Sequence, residues 1–100
     1  MNNEVLLSYE IPDRLLLIEA SALTHKATEL ITTAKQLITG ERQSLNRTRE
    51  IDALFDIANS YLNCVRTILI NIPVLHPYVH NWLLKTILLL NAVTYTKHYI

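Results

Sequence analysis

Glycine is almost missing from this chain: Gly40 is the only one in 100 residues, and Pro12, Pro73 and Pro77 are the only prolines. With so few turn residues a many-stranded sheet is hard to build, and a few long helices with short links fit better. Cysteine is as scarce. A lone Cys64 rules out an intrachain disulfide framework and fits a reducing compartment. Set in an apolar segment, it is expected to be a buried small hydrophobe rather than a reactive thiol. Long apolar runs are missing too. The most apolar region, residues 67–93, is broken by Pro73, His76, Pro77, His80, Asn81 and Lys85. Its uninterrupted core, Thr86 to Leu90, is far short of the ~20 residues a membrane-spanning helix needs. Met1, Asn2, Asn3 and Glu4 offer no basic region of a secretory signal. The expectation is a soluble, cytoplasmic protein without a transmembrane segment.

Charge is missing in a different way. Nine Lys and Arg balance nine Asp and Glu, so a broad basic surface for nucleic acid is not expected. No acid follows Asp56. From there on the formal charges are Arg66, Lys85 and Lys97, joined by His76, His80 and His98. The first 56 residues carry all nine acids against six bases, a net of minus three, and the remainder carries plus three. The two halves are weakly complementary.

What the chain does have is helical periodicity. Leu16, Ala20, Leu23, Ala27, Leu30, Ala34 and Leu37 follow at alternating steps of four and three, an a/d heptad with leucine and alanine in turn. The alanines allow close approach of a second helix. This layering resembles the cores of Rop-type antiparallel hairpins over about a quarter of the chain, and no family assignment follows from it. The spacing predicts a first helix over about 12–39, with Pro12 at its first position and Asp13 at its positive end. A helix starting near Asn3 and bending at Pro12 is the alternative. Gly40 sits where a C′ residue ends a helix. Residues 41–47 form a polar link, with Ser44 as N-cap and Thr48 as the later option.

A second helix is expected over about 45–72. Its stripe is Ile51, Leu54, Ala58, Tyr61, Val65, Ile68 and Ile72, flanked by Phe55, Leu62 and Leu69 and closed by Pro73. Two helices of roughly 25 residues, nearly 40 Å each, joined by so short a link should pair antiparallel. A third helix, about 77–97, is apolar all round the wheel and is expected to be buried on every side. One chain cannot cover it, so a second copy should. The fold class is therefore all-α: one domain over residues 1–100, an antiparallel hairpin plus a third apolar helix, a three-helix bundle completed by dimerisation. The self-association surface is expected at Trp82, Leu84, Leu88 and Leu89.

Chemistry-bearing motifs are few. His76 and His80 have the i, i+4 spacing that presents two imidazoles to one metal. Pro77, however, leaves His76 just outside the helix, and a helix-start histidine beside a half-exposed one is the expectation. Asp52 and Asp56 are one turn apart and read as a solvated face. There is no Gly-rich phosphate loop, His-Glu-x-x-His, Cys-x-x-Cys or the Arg–His spacing of HEPN-type ribonucleases. No enzyme, cofactor or metal is expected. The leading expectation is a small interaction protein, an adaptor, inhibitor or regulatory subunit, that is homodimeric and has a protein partner. Partner contacts are expected at Arg42, Arg47, Arg49, Tyr95 and Lys97. One alternative is a nucleic-acid regulator using the same arginines and the tail of Tyr95, Lys97, His98 and Tyr99. Another is a peripheral membrane protein whose third helix enters the interface.

Overall fold

The computed structural model describes residues 3–39, 45–73 and 76–98. Every element among them is an α-helix: α1 (Asn3–Leu7), α2 (Ile11–Ile38), α3 (Leu45–Ile70) and α4 (Pro77–His98). The last three stand where periodicity put the first, second and third helices. Among the described residues no helix is long and apolar enough to cross a membrane.

The lead-in combines the two sequence alternatives. A separate five-residue helix, α1, stops before Pro12, and α2 begins at Ile11 with proline in its first turn. Arg14 clamps the break: its Nε donates to the Tyr9 carbonyl at 2.6 Å and Nη2 to the Leu7 carbonyl at 3.5 Å. These carbonyls have no helical partner of their own, so a cationic donor is well spent there.

Helix ends follow local rules. α2 closes at Thr39, whose N–H donates to the Lys35 carbonyl at 3.1 Å. Gly40 and Ser44, expected as C′ and N-cap, lie outside the described residues. Thr48 is inside α3, within its first turn, and so is not its cap. α3 ends at Ile70, two residues before the expected limit, because proline at position 73 pushes the residue before it out of helical geometry. Asn71 trims that end, its Nδ2 donating to the Thr67 carbonyl at 2.7 Å.

α3 is the central element, with α2 and α4 packed against it. Early α2 meets late α3: Leu17 and Ala20 share a cluster with Val65, Leu69 and Ile72. Late α2 meets early α3, as Ala27, Ile31 and Ala34 share a second cluster with Ile51, Phe55, Ala58 and Leu62. The two helices are thus antiparallel. α4 also opposes α3, since Val79 joins the first cluster and Leu90 and Val93 the second. The molecule is a rod, 49 × 19 × 16 Å.

The seams keep part of the expected heptads, Ala20, Ala27 and Ala34 on α2 and Ile51, Ala58, Val65 and Ile72 on α3 and just beyond it. Their other members come from the adjacent stripe. On α2 the buried positions are Leu17, Ala20, Ala27, Ile31 and Ala34, while Leu16 is exposed and Leu23, Leu30 and Leu37 are half-buried. On α3 they are Ile51, Phe55, Ala58, Leu62, Val65 and Leu69, with Leu54, Tyr61 and Ile68 at the edge. The alanines belong to both stripes and hold the centre. Val5 of α1 and Tyr9 of the turn after it add to the core at one end.

α4 has one face covered within the chain and another left bare, as expected of a helix that one chain cannot cover. Val79, Thr86, Leu90 and Val93 face the core, and the Thr86 hydroxyl is satisfied by the Trp82 carbonyl at 2.9 Å. Leu84, Leu88 and Tyr95, on the opposite stripe, are 47%, 67% and 67% exposed. Cys64 corrects the expectation of a buried thiol. It is exposed, because it falls on the side of α3 turned away from the row of Phe55, Leu62 and Leu69.

Candidate functional site

The residues expected to mediate self-association divide into two pairs. Leu84 and Leu88 lie on the exposed outer stripe of α4, one turn apart, while Trp82 and Leu89 are half-buried on its flanks. A second exposed stripe, Ile11, Leu15 and Ile18, occupies the start of α2 on the side away from α3, with Leu7 of α1 also exposed.

Of the expected partner contacts, the side chains of Arg49, Tyr95 and Lys97 are described, on α3 and α4. Arg49 is exposed on α3, while Arg42, Tyr99 and the side chains of Arg47 and His98 lie outside the described residues. Lys97 is engaged within the chain. Its Nζ hydrogen-bonds the Asp56 carboxylate and stands 3.7 Å from that of Asp52. Asp56, through this bond, is the main cause that raises the Lys97 pKa above 10.5, with burial opposing and Asp52 adding to the rise. The aspartates read as a solvated pair thus form the anchor of α4 on α3, though both remain half-exposed.

His76 is a cap. Its Nδ1 accepts the Tyr78 N–H at 3.2 Å, and its carbonyl accepts the His80 N–H at 2.9 Å, the geometry by which an N-cap satisfies an orphan first-turn donor. Its own N–H donates to the Tyr9 hydroxyl at 2.7 Å, fastening the turn between α1 and α2 to the start of α4. Among the described residues no three His, Cys, Asp or Glu side chains gather as a metal site.

Sequence reasoning missed a groove. Because α2 and α4 both lie on α3 and barely meet each other, a cleft of about 440 Å³ is left between them. Ser21, Thr24, His25 and Thr28 form the α2 wall; Tyr78, Asn81, Trp82 and Lys85 form the α4 wall. Each set follows i, i+3, i+4, i+7 spacing and so occupies one face of its helix. A shallower hollow continues past Ser21 and His25 towards Leu6 of α1.

One hydrogen bond spans the groove. The Trp82 Nε1–H donates to Thr24 Oγ1 at 3.2 Å, while the Thr24 hydroxyl proton goes to the Ala20 carbonyl at 2.8 Å. Thr28 likewise donates to the Thr24 carbonyl at 2.9 Å. His25 Nε2 lies 3.0 Å from Glu29 Oε1 on the rim. The signal for this site was present in the sequence as a hydroxyl-bearing stripe beside the alanine seam, together with a tryptophan whose N–H needs an acceptor when covered.

No family model, curated protein or solved structure matches this chain.

Proposed function

We propose that this chain is a non-enzymatic cytoplasmic interaction protein, an adaptor, inhibitor or regulatory subunit, that pairs with a second copy of itself through the outer face of α4. The observation that carries this reading is the stripe of Leu84, Leu88 and Tyr95, exposed on the side of α4 opposite its core contacts. Its leucines supply apolar area that water does not reward, and Tyr95 is of the residue type enriched at interfaces. A helix stripe on a rod suits a two-fold pairing, in which the same patch meets itself. The nucleic-acid alternative has less support, since Lys97 is held by Asp52 and Asp56.

The test is molar mass by sedimentation equilibrium across a concentration series. The wild-type chain should approach twice its 11.5 kDa mass, and Leu88→Glu, alone or with Leu84→Glu, should return it to the single-chain mass. Both positions are exposed, so the helical circular dichroism should stay unchanged. A wild-type chain that remains at 11.5 kDa at every concentration, or a Leu88→Glu chain that still pairs, overturns the proposal.

A further inference from the structure

We infer that the groove between α2 and α4 is a binding site for a small aromatic anion, a flat ring carrying one carboxylate or phosphate. Its volume, about 440 Å³, lies within the roughly 300–1,000 Å³ of small-ligand pockets. Three features of its walls select the chemistry.

The first is a fixed aromatic surface. Trp82 is half-buried and tethered across the groove to Thr24, so its indole plane is set before any ligand arrives. Tyr78, one turn earlier on α4, lines the same wall. A flat ring gains offset stacking there at little ordering cost.

The second is an uncompensated positive charge. Lys85 lies three residues beyond Trp82, on the same wall; no carboxylate is among the lining residues, and Glu29 on the rim lies against His25 of the opposite wall. The absence of any acid after Asp56 removes helical neighbours that would neutralise it. Among the described residues no carboxylate pairs with Lys85. A bound cation would meet repulsion here, and an anion would meet a ready donor.

The third is the sense of the hydrogen bonds. The hydroxyl protons of Thr24 and Thr28 are committed to backbone carbonyls, so these oxygens offer lone pairs only. Asn81 and Ser21 supply donors from opposite walls. An anionic group is thus served from the Lys85 and Asn81 side, and a ring N–H or O–H finds an acceptor on α2. A purely apolar ligand would gain only the ring contact with Trp82 and Tyr78 and leave Lys85 and Asn81 unused.

This inference stands apart from the self-association reading. Leu84 and Leu88 occupy the outer stripe of α4, whereas Trp82 and Lys85 line the groove facing α2. Trp82 is the only tryptophan, so its emission reports on the groove alone. The experiment titrates the full chain with adenosine 5′-monophosphate and with benzoate, against adenosine and benzamide as their neutral counterparts, following Trp82 emission and confirming by equilibrium dialysis. At least one anion should bind saturably with Kd below about 1 mM, and about tenfold tighter than its neutral counterpart. Response to one anion only identifies the group, phosphate or carboxylate, that the site takes. Lys85→Met, which keeps the aliphatic stem at an exposed position, should weaken that anion about tenfold and leave circular dichroism and ligand-free emission unchanged. Absence of saturable binding by both anions overturns the inference. So does equal binding of the neutral counterparts, or a Lys85→Met chain that binds as the wild type does.

Discussion

Replacing Ala27 by leucine places three extra carbon atoms in the buried seam between α2 and α3. Ala27 is fully buried, as are Ala20 and Ala34 on the same helix and Ala58 opposite on α3. The neighbours available to move aside are Ile31, Phe55 and Leu62, themselves almost fully buried, so the added volume must displace backbone or force strained rotamers. Overpacking of this kind costs about 1–3 kcal/mol. For a domain near 100 residues each kcal/mol moves Tm by roughly 4–8 °C, and a mid-range cost of about 2 kcal/mol lowers it by roughly 8–16 °C. Ala53→Leu is the matched control, being the same change in α3 at an exposed position. Leucine and alanine differ little in helix propensity, and a surface change away from special features stays within about 0.5 kcal/mol. Thermal and urea unfolding followed by circular dichroism separate the two variants. Equal stability of Ala27→Leu and Ala53→Leu would show that the alanine layers do not set the α2–α3 distance.

Three further outcomes follow from single contacts. Tyr9→Phe removes the acceptor for the His76 N–H and should cost about 1 kcal/mol, with faster hydrogen exchange at the His76 amide; unchanged exchange would detach the turn after α1 from the start of α4. Lys97→Met should lower Tm at neutral pH and at low salt. Because Asp56 raises the Lys97 pKa in the folded state, the stabilisation is fully present below the ordinary value of 10.5 and lost as pH rises through the folded value. The Tm difference between wild type and Lys97→Met should therefore close in strongly alkaline buffer, and a constant difference would assign the effect to packing. Cys64, being exposed, should react with a thiol reagent such as Ellman's in the native protein, at a rate that unfolding raises only slightly; protection until unfolding would place it in the core.

Much of the helical layout was legible because proline and heptad spacing act locally. Ile51 to Ile72 and Leu16 to Leu37 each mark a helix face, and proline at positions 12, 73 and 77 punctuates the chain whatever the tertiary structure. Which of two adjacent stripes becomes the seam was not legible. Leu54, Tyr61 and Ile68 on one side, and Phe55, Leu62 and Leu69 on the other, satisfy the same periodicity. The choice is made by the whole assembly: α3 receives α2 and α4 together, and the row turned to both is buried deepest. Tyr61 at the edge then meets Lys26 of α2, whose Nζ lies 5.9 Å from the ring centre. The expectation of a buried Cys64 fails for the same reason, as one step round the helix separates a core position from an exposed one. The groove was hidden because it depends on the gap between α2 and α4, and a gap between two helices leaves no periodic trace in either.

The composition of α4 explains why a closed rod still leaves apolar surface outside. A helix that packs on a single neighbour needs one apolar stripe, and Val79, Leu83, Thr86, Leu90 and Val93 supply it towards α3. Had α2 closed onto α4, a second stripe would have been covered. Instead the facing positions are Asn81, Lys85 and the hydrogen-bonded pair of Trp82 and Thr24. The Trp82–Thr24 hydrogen bond links the two helices across a groove that stays open. The leucines at 84 and 88 stay exposed on the far side of that polar wall. Filling the groove by Asn81→Leu and Ser21→Leu should draw α4 towards α2 and raise Tm. It should also abolish anion binding while leaving Leu84 and Leu88 free to pair. A variant that kept binding, or that lost pairing without losing helix content, would contradict the separation of the open groove from the bare outer face.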